Sequence, residues 1–184
     1  MIDTTAALAR GLRRHQAGQL AQAELEYRAV LTGDPENGDA LHLLGLVAEA
    51  GGDLEMAGSL MARAIGLRGP VAEYCANLGR VLYSQGKLAQ AKVCNRQAAD
   101  ALVQRLELHA GDAAGWRLLG GVFLALDSPC DALDALRHAA ELRPGWAEAQ
   151  HDLGLALARA DRLEEAEQVP QRAARPARFS RSLE

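Results

Sequence analysis

The chain has 184 residues and a net charge of −4, from 24 acidic and 20 basic side chains. These charges are spread along the chain and form no basic stripe, so the composition argues against nucleic acid as a partner. Aromatic residues make up only 4%, fewer than a large globular core normally uses.

No segment has the character of a membrane span or a signal peptide. The longest apolar stretch, at positions 118–126, is about half of the ~20 residues that a span needs. The N-terminal segment 1–15 lacks an apolar core long enough for secretion. The three cysteines form no CxxC motif, which is typical of unligated thiols in a reducing compartment. We therefore predict no membrane insertion and a cytoplasmic location.

The dominant pattern is an internal repeat with a period of about 34 residues, a length typical of stacked helical arrays. Glycine recurs at this interval, at Gly11, Gly45 and Gly79 and then at Gly120 and Gly154. Twelve positions after each of these glycines the sequence has an alanine. Glycine within a helix costs about 1 kcal/mol relative to alanine, so its recurrence indicates close approach of two backbones. The pattern therefore predicts an array of stacked helices.

In chain order, the array divides into units at about positions 4–37, 38–71, 72–112 and 113–146, and an incomplete fifth unit at 147–169. Each unit reads as two helices joined by a tight turn. The turn residue is Gly18, Gly52 or Gly86 in the first three units, and Asp127 or Asp161 in the last two. Pro129 follows one of these turns, at a position where a first helical turn tolerates proline.

Two departures from the period lead to predictions. The interval from Gly79 to Gly120 exceeds the others by seven positions, which correspond to two helical turns. We therefore predict one long helix from about Leu88 to Leu108. Near the C-terminus, Pro170 and Pro176 interrupt the fifth unit, so the segment 170–184 is predicted to form a basic, poorly ordered tail.

The repeated residues resemble the tetratricopeptide-repeat family. The fourth unit gives the fullest match, with Trp116, Leu119, Gly120, Phe123, Ala132, Leu136, Ala139 and Pro144. The resemblance covers positions 4 to about 169. It implies an all-α fold, a right-handed α-solenoid of stacked antiparallel helix pairs, with four to five units. It also implies that the first helix of each unit lines a concave groove.

The groove positions that the resemblance implies are the candidate binding site. The predicted partner-binding residues are His42, Glu49, Asn77, Arg80, Tyr83, Arg117 and His151. Arginine offers a fork of donors and asparagine both a donor and an acceptor, so Arg80, Arg117 and Asn77 could hold a peptide carboxylate or backbone. The asparagine ladder of arrays fused to sugar transferases is absent, and the pattern that binds chaperone tails is incomplete.

No motif for catalysis, phosphate binding or a metal is present, so we predict no enzymatic activity, no cofactor and no metal. The function predicted is a protein-interaction scaffold that binds a partner peptide or protein in the groove. Two alternatives stay open. The chain could self-assemble through uncovered array ends, as a homo-oligomer, or it could be the recognition arm of a larger enzyme whose catalytic domain lies outside this chain.

Overall fold

The computed structural model describes residues 3–163 and residue 165, and all regular structure in this part is helical. It confirms the predicted all-α solenoid class of antiparallel helix pairs. The helices of the described part are α1 Thr4–Gln16, α2 Leu20–Gly33, α3 Gly38–Ala50, α4 Leu54–Arg68, α5 Ala72–Ser84, α6 Leu88–Leu108, α7 Ala113–Ala125, α8 Pro129–Leu142 and α9 Ala147–Arg159. The tail predicted at positions 170–184 lies outside the described residues.

Side-chain caps fix where several first helices of the pairs begin. A carboxylate or amide oxygen accepts a backbone N–H of the first turn at Asp3, Asn37 and Asp112. Asp53 caps the second helix α4 in the same way. Such a cap satisfies one of the donors that a helix start leaves unpaired. Pro129 is the first residue of α8, as its position after the turn predicts.

The turn inside each helix pair passes through the left-handed region of backbone conformation. The φ angles there are 74°, 87° and 76° at Gly18, Gly52 and Gly86, and 61° and 56° at Asp127 and Asp161. Glycine and, less readily, aspartate tolerate this conformation. The five turn residues that the repeat aligned therefore share one backbone geometry.

Four of the five recurring helical glycines, Gly11, Gly45, Gly79 and Gly120, lie where two helices of a pair meet, whereas a Cβ on Gly154 would meet nothing within 4 Å in the described part of the chain. A Cβ on Gly11 would overlap the ring of Tyr27, and a Cβ on Gly120 would overlap the side chain of Leu136. Each contact joins a glycine of the first helix to a residue sixteen positions later on the second. Both partners are completely buried. Close packing within the pair thus explains the glycine at these positions.

The tertiary contacts divide the chain into two compact bodies. The N-terminal body is Met1–Ala101 and the C-terminal body is Leu102–Glu184, so the boundary falls within α6. Helix α6 runs from Leu88 to Leu108, as the seven added positions predict. No helix of the described part combines the length and apolar character needed to cross a bilayer.

Small side chains and leucines form the core of each body. In the N-terminal body, one cluster includes Ala57 and Met61 of α4 with Leu78 and Val81 of α5. In the C-terminal body, a comparable cluster between α8 and α9 contains Ala132, Leu136, Leu153 and Leu157, and Phe123 packs against it. Within each body, a second helix therefore packs against the first helix of the next pair, which holds neighbouring first helices side by side.

Candidate functional site

Five of the predicted groove residues lie on two neighbouring helices of the N-terminal body. His42 and Glu49 belong to α3, and Asn77, Arg80 and Tyr83 belong to α5. We call this surface the α3–α5 face. Because α2 and α4 pack against the other sides of these helices, the polar residues here project away from the main clusters.

His42 forms the buried floor of the α3–α5 face. Its side chain stacks on Tyr74 with ring centroids 4.1 Å apart, and its Nε2 lies 3.0 Å from Nδ2 of Asn77. Burial lowers the pKa of His42 to about 4, against the opposing pull of Asp39 and Glu73. The imidazole is therefore neutral at physiological pH and can accept the hydrogen bond that Asn77 donates.

Tyr74 is fixed from its other end. Its hydroxyl donates to the carboxylate of Asp39, which also lies 3.7 Å from Arg68. Burial raises the pKa of Tyr74, and the hydrogen bond to Asp39 adds to this effect. The stacked rings are therefore held in one arrangement beneath Asn77.

Arg80 spans the gap between the two helices. Its guanidinium donates to the carboxylate of Glu49 on α3 and lies 3.4 Å from Oδ1 of Asn77 on its own helix. The Glu49 side chain is mostly buried, at 13% exposed, whereas that of Arg80 is 57% exposed. Arg80 is thus oriented by partners in its own chain and still presents much of its guanidinium to solvent.

Tyr83 lies one turn after Arg80 and is 67% exposed. Such exposure is large for an aromatic side chain, which usually buries most of its area. Aromatic rings held at a surface are frequent anchors in protein interfaces. The α3–α5 face therefore combines an oriented polar network with an open aromatic ring.

The other two predicted residues lie in the C-terminal body. Arg117 on α7 donates to Asp152 on α9 at 2.7 Å, and its Nε is buried without a partner in the described part. His151 on α9 is exposed. We call this surface the α7–α9 face. Its arginine is neutralised by an acid of the same chain, as Arg80 is on the α3–α5 face.

One cluster of the C-terminal body is not evident from the sequence. The guanidinium carbons of Arg143 and Arg117 lie 4.4 Å and 4.9 Å from the centroid of a Trp146 ring. Arg143 follows α8 as its C-cap and Trp146 precedes α9, so both lie in a link between helix pairs, whereas Arg117 belongs to α7. The three residues share no recognisable spacing, and only the fold brings them together.

The described residues hold no group of three or more histidine, cysteine or acidic side chains that could bind a metal ion. The three cysteines are free thiols. Burial raises the pKa of the Cys75 thiol to about 11, so this thiol stays protonated at neutral pH.

Comparison with known proteins is informative at the level of structure. No family model and no curated protein matches the sequence. Among solved structures, Pseudomonas aeruginosa pilF is similar with a TM-score of 0.69 and 22% identity, over 93% of this chain and 75% of that one. MamA of Desulfovibrio magneticus RS-1 gives 0.62 and 17% identity over 94% of both chains.

YrrB, a TPR protein with an unusual peptide-binding site, gives a TM-score of 0.56 and 21% identity over 93% of this chain and 84% of that one. The likeness agrees with the antiparallel helix pairs of this chain. At such identities a likeness establishes the fold and leaves the ligand open. The chain therefore has the fold of the tetratricopeptide-repeat proteins.

Proposed function

We propose that the chain is a non-enzymatic scaffold that binds an extended segment of a partner protein on its first-helix surfaces. The observation that carries this proposal is the α3–α5 face. There, Asn77 and Arg80 are already oriented by His42 and Glu49, next to the exposed ring of Tyr83. Donors that are held in place before binding lose little conformational freedom when a ligand arrives.

The chemistry of this face suits a peptide. Asn77 supplies both a donor and an acceptor, which match the alternating groups of an extended backbone. Arg80 supplies a charged donor, and Tyr83 supplies apolar area at small entropic cost. His42 and Glu49 act from beneath by fixing the side chains of Asn77 and Arg80. On the α7–α9 face, the corresponding candidates are Arg117 and His151.

A further line of support comes from outside the face. The fold is shared with YrrB, whose peptide-binding site sets a precedent for this class of ligand. Recognition of a protein segment is the function that the exposed chemistry of the α3–α5 face supports best.

The experiment begins with selection of peptides from a displayed library by the intact protein. Affinity of a selected peptide is then compared for the wild-type protein, Tyr83→Ala and the double variant Arg80→Glu, Arg117→Glu. We expect both variants to bind at least about tenfold more weakly. Tyr83→Ala removes an exposed aromatic ring, and the double variant reverses the charges of Arg80 and Arg117. The matched control is Arg28→Glu, which alters an exposed arginine of α2 paired with Glu24.

Tyr83→Ala is the more stringent variant because this side chain is exposed and lies outside the hydrogen-bond network of the face. Thermal melting of each variant establishes that it is folded. Unchanged affinity in both folded variants would remove the first-helix surfaces from the proposal.

A further inference from the structure

We infer that Arg143, held against the indole of Trp146, is a carboxylate-binding group of the C-terminal body. The carboxylate would belong to the bound partner segment, either as an acidic side chain or as its C-terminus. This inference rests on the proposed function and adds the chemical class that this part of the molecule recognises. Its basis is the contrast between two arginines at the same position of the repeat.

Arg68 and Arg143 occupy the same position of the repeat. Arg68 lies as far after Gly45 as Arg143 lies after Gly120. Arg68 forms an ion pair with Asp39 at 3.7 Å. In the fourth pair the position of Asp39 is taken by Ala114. The acid that neutralises Arg68 therefore has no counterpart for Arg143.

A difference at another repeat position explains why the Arg143 side chain does not follow the path of the Arg68 side chain. The stem of Arg68 crosses Gly38 so closely that a Cβ there would overlap its Cγ. The equivalent residue in the fourth pair is Ala113, which is buried and carries that Cβ. The same path is closed to Arg143, and its guanidinium instead lies 4.4 Å from the centroid of the Trp146 ring. Trp146 occupies the repeat position that Val71 holds at the end of the second unit.

An arginine stacked on an aromatic ring keeps its donors available. The ring attracts the face of the planar guanidinium, whereas the N–H groups point outward in that plane. Arg143 is exposed and forms no ion pair within the described part of the chain. Arg143 therefore offers a fork of donors beside the indole that has no acceptor within the described residues, and such a fork matches the two oxygens of a carboxylate.

The second cation on the Trp146 indole does not compete for that ligand. Arg117 lies 4.9 Å from a Trp146 ring centroid, but its charge is balanced by Asp152 at 2.7 Å. From the sequence, a carboxylate was expected at Arg80 and Arg117. Because the structure pairs these two with acids of the same chain, the carboxylate-binding role passes to a cation that forms no ion pair within the described residues, and Arg143, beside the groove residue Arg117 on Trp146, is such a cation.

The test is a nuclear magnetic resonance titration of the intact protein at low ionic strength. The signals followed are the Nε–H of Arg143 and the indole N–H of Trp146. Three probes are compared: acetyl-tetraglutamate amide, acetyl-tetraglutamine with a free C-terminus, and acetyl-tetraglutamine amide. The first carries side-chain carboxylates, the second only a terminal carboxylate, and the third none.

We expect saturable shifts of both signals with at least one carboxylate probe and none with the uncharged peptide; the responding probe identifies the source of the carboxylate. Arg143→Gln should bind that probe about two- to fivefold more weakly, as the loss of a surface ion pair implies. Arg143→Lys, which keeps the charge and loses the planar fork, should also bind more weakly. Arg68→Gln is the matched control and should respond like the wild type.

Three results would overturn the inference: no shift with either carboxylate probe, equal response in folded Arg143→Gln, or equal loss in Arg68→Gln. Circular dichroism and thermal melting identify folded variants. The selected-peptide assay reports on Tyr83, Arg80 and Arg117, whereas this titration reports on Arg143 alone. If the selected peptide binds normally while the titration fails, only this inference falls, and the reverse outcome removes the proposed function.

Discussion

The amide nitrogen of Asn77 on α5 lies 3.0 Å from Nε2 of His42 on α3, 35 residues earlier in the chain. Arg117 and Asp152 are separated by the same interval and occupy the same two positions relative to their repeat glycines, where they form an ion pair at 2.7 Å. The same contact between neighbouring first helices is therefore neutral in one body and ionic in the other. This difference leads to separate predictions for the two.

Asp152→Asn should destabilise the C-terminal body by about 1 kcal/mol. The change removes the charge that Arg117 pairs with, while the two side chains are only partly exposed, at 36% for Arg117 and 26% for Asp152. Urea denaturation of wild-type and variant protein measures the effect. Asp134→Asn is the control, because its carboxylate is 78% exposed and 3.5 Å from Arg137. A loss as large in the control would contradict a special role for the Arg117–Asp152 pair.

His42 should make folding stability depend on pH between about 6.5 and 4. Its pKa is lowered to about 4 in the folded protein and is near 6.5 when unfolded, so the unfolded state binds the proton first. Stability from this group is complete above pH 6.5 and is lost as the pH falls toward 4. The full shift corresponds to about 3 kcal/mol.

The measurement for His42 is the free energy of unfolding at several pH values in this window, for the wild type and for His42→Gln. Carboxylates such as Asp39 and Glu73 titrate in both proteins, so the difference between the two curves isolates the histidine. Parallel curves would show that burial does not lower the pKa of His42.

Two neighbouring glycines of α7 should respond in opposite directions to alanine. Gly120→Ala should destabilise the protein by about 1–3 kcal/mol, since its Cβ would overlap the buried side chain of Leu136. Gly121→Ala should stabilise it by about 0.5–1 kcal/mol, because a Cβ there meets nothing within 4 Å and alanine favours the helix. Thermal melting compares them, and an unchanged or higher melting temperature for Gly120→Ala would contradict the packing of Gly120 on Leu136.

Asp127→Gly should stabilise the C-terminal body by about 0.5–1 kcal/mol, because glycine relieves a left-handed backbone conformation. The φ angle of Asp127 is 61°, which costs an L-residue energy and which glycine adopts freely. Three other turns of the chain already carry glycine at this position. The control Asp127→Ala keeps a Cβ and should not stabilise. A rise in melting temperature for alanine as large as for glycine would argue against relief of the left-handed conformation.

The fold was predictable because its signals are local and repeat. The interval between glycines indicated the helix pairs, and the seven positions added after Gly79 indicated the long α6. The turn residues Asp127 and Asp161 were recognised through their alignment with glycines. Each of these inferences needs only the preference of a short segment for one backbone conformation, and repetition makes a weak preference visible.

The candidate site was predictable only as a surface. The repeat predicts which residues lie on first helices, and two of the predicted groove residues, Tyr83 and His151, are exposed; their part in binding stays a prediction. Nothing in the sequence indicated that His42 would be buried against Tyr74. Nor did it indicate that Arg80 and Arg117 would form ion pairs with acids of the same chain. These contacts join different helix pairs, and their geometry depends on how one pair packs on the next.

The sequence by itself determined the helix pairs, their turns and the glycines at which the helices meet, because these follow from backbone preference and a regular period. Only the tertiary structure decided which charges are balanced. Arg68 and Arg143 are the same residue at the same repeat position, yet one lies beside Asp39 and the other on Trp146. The electrostatic state of a side chain is set by its neighbours in space, and a period in sequence does not specify them.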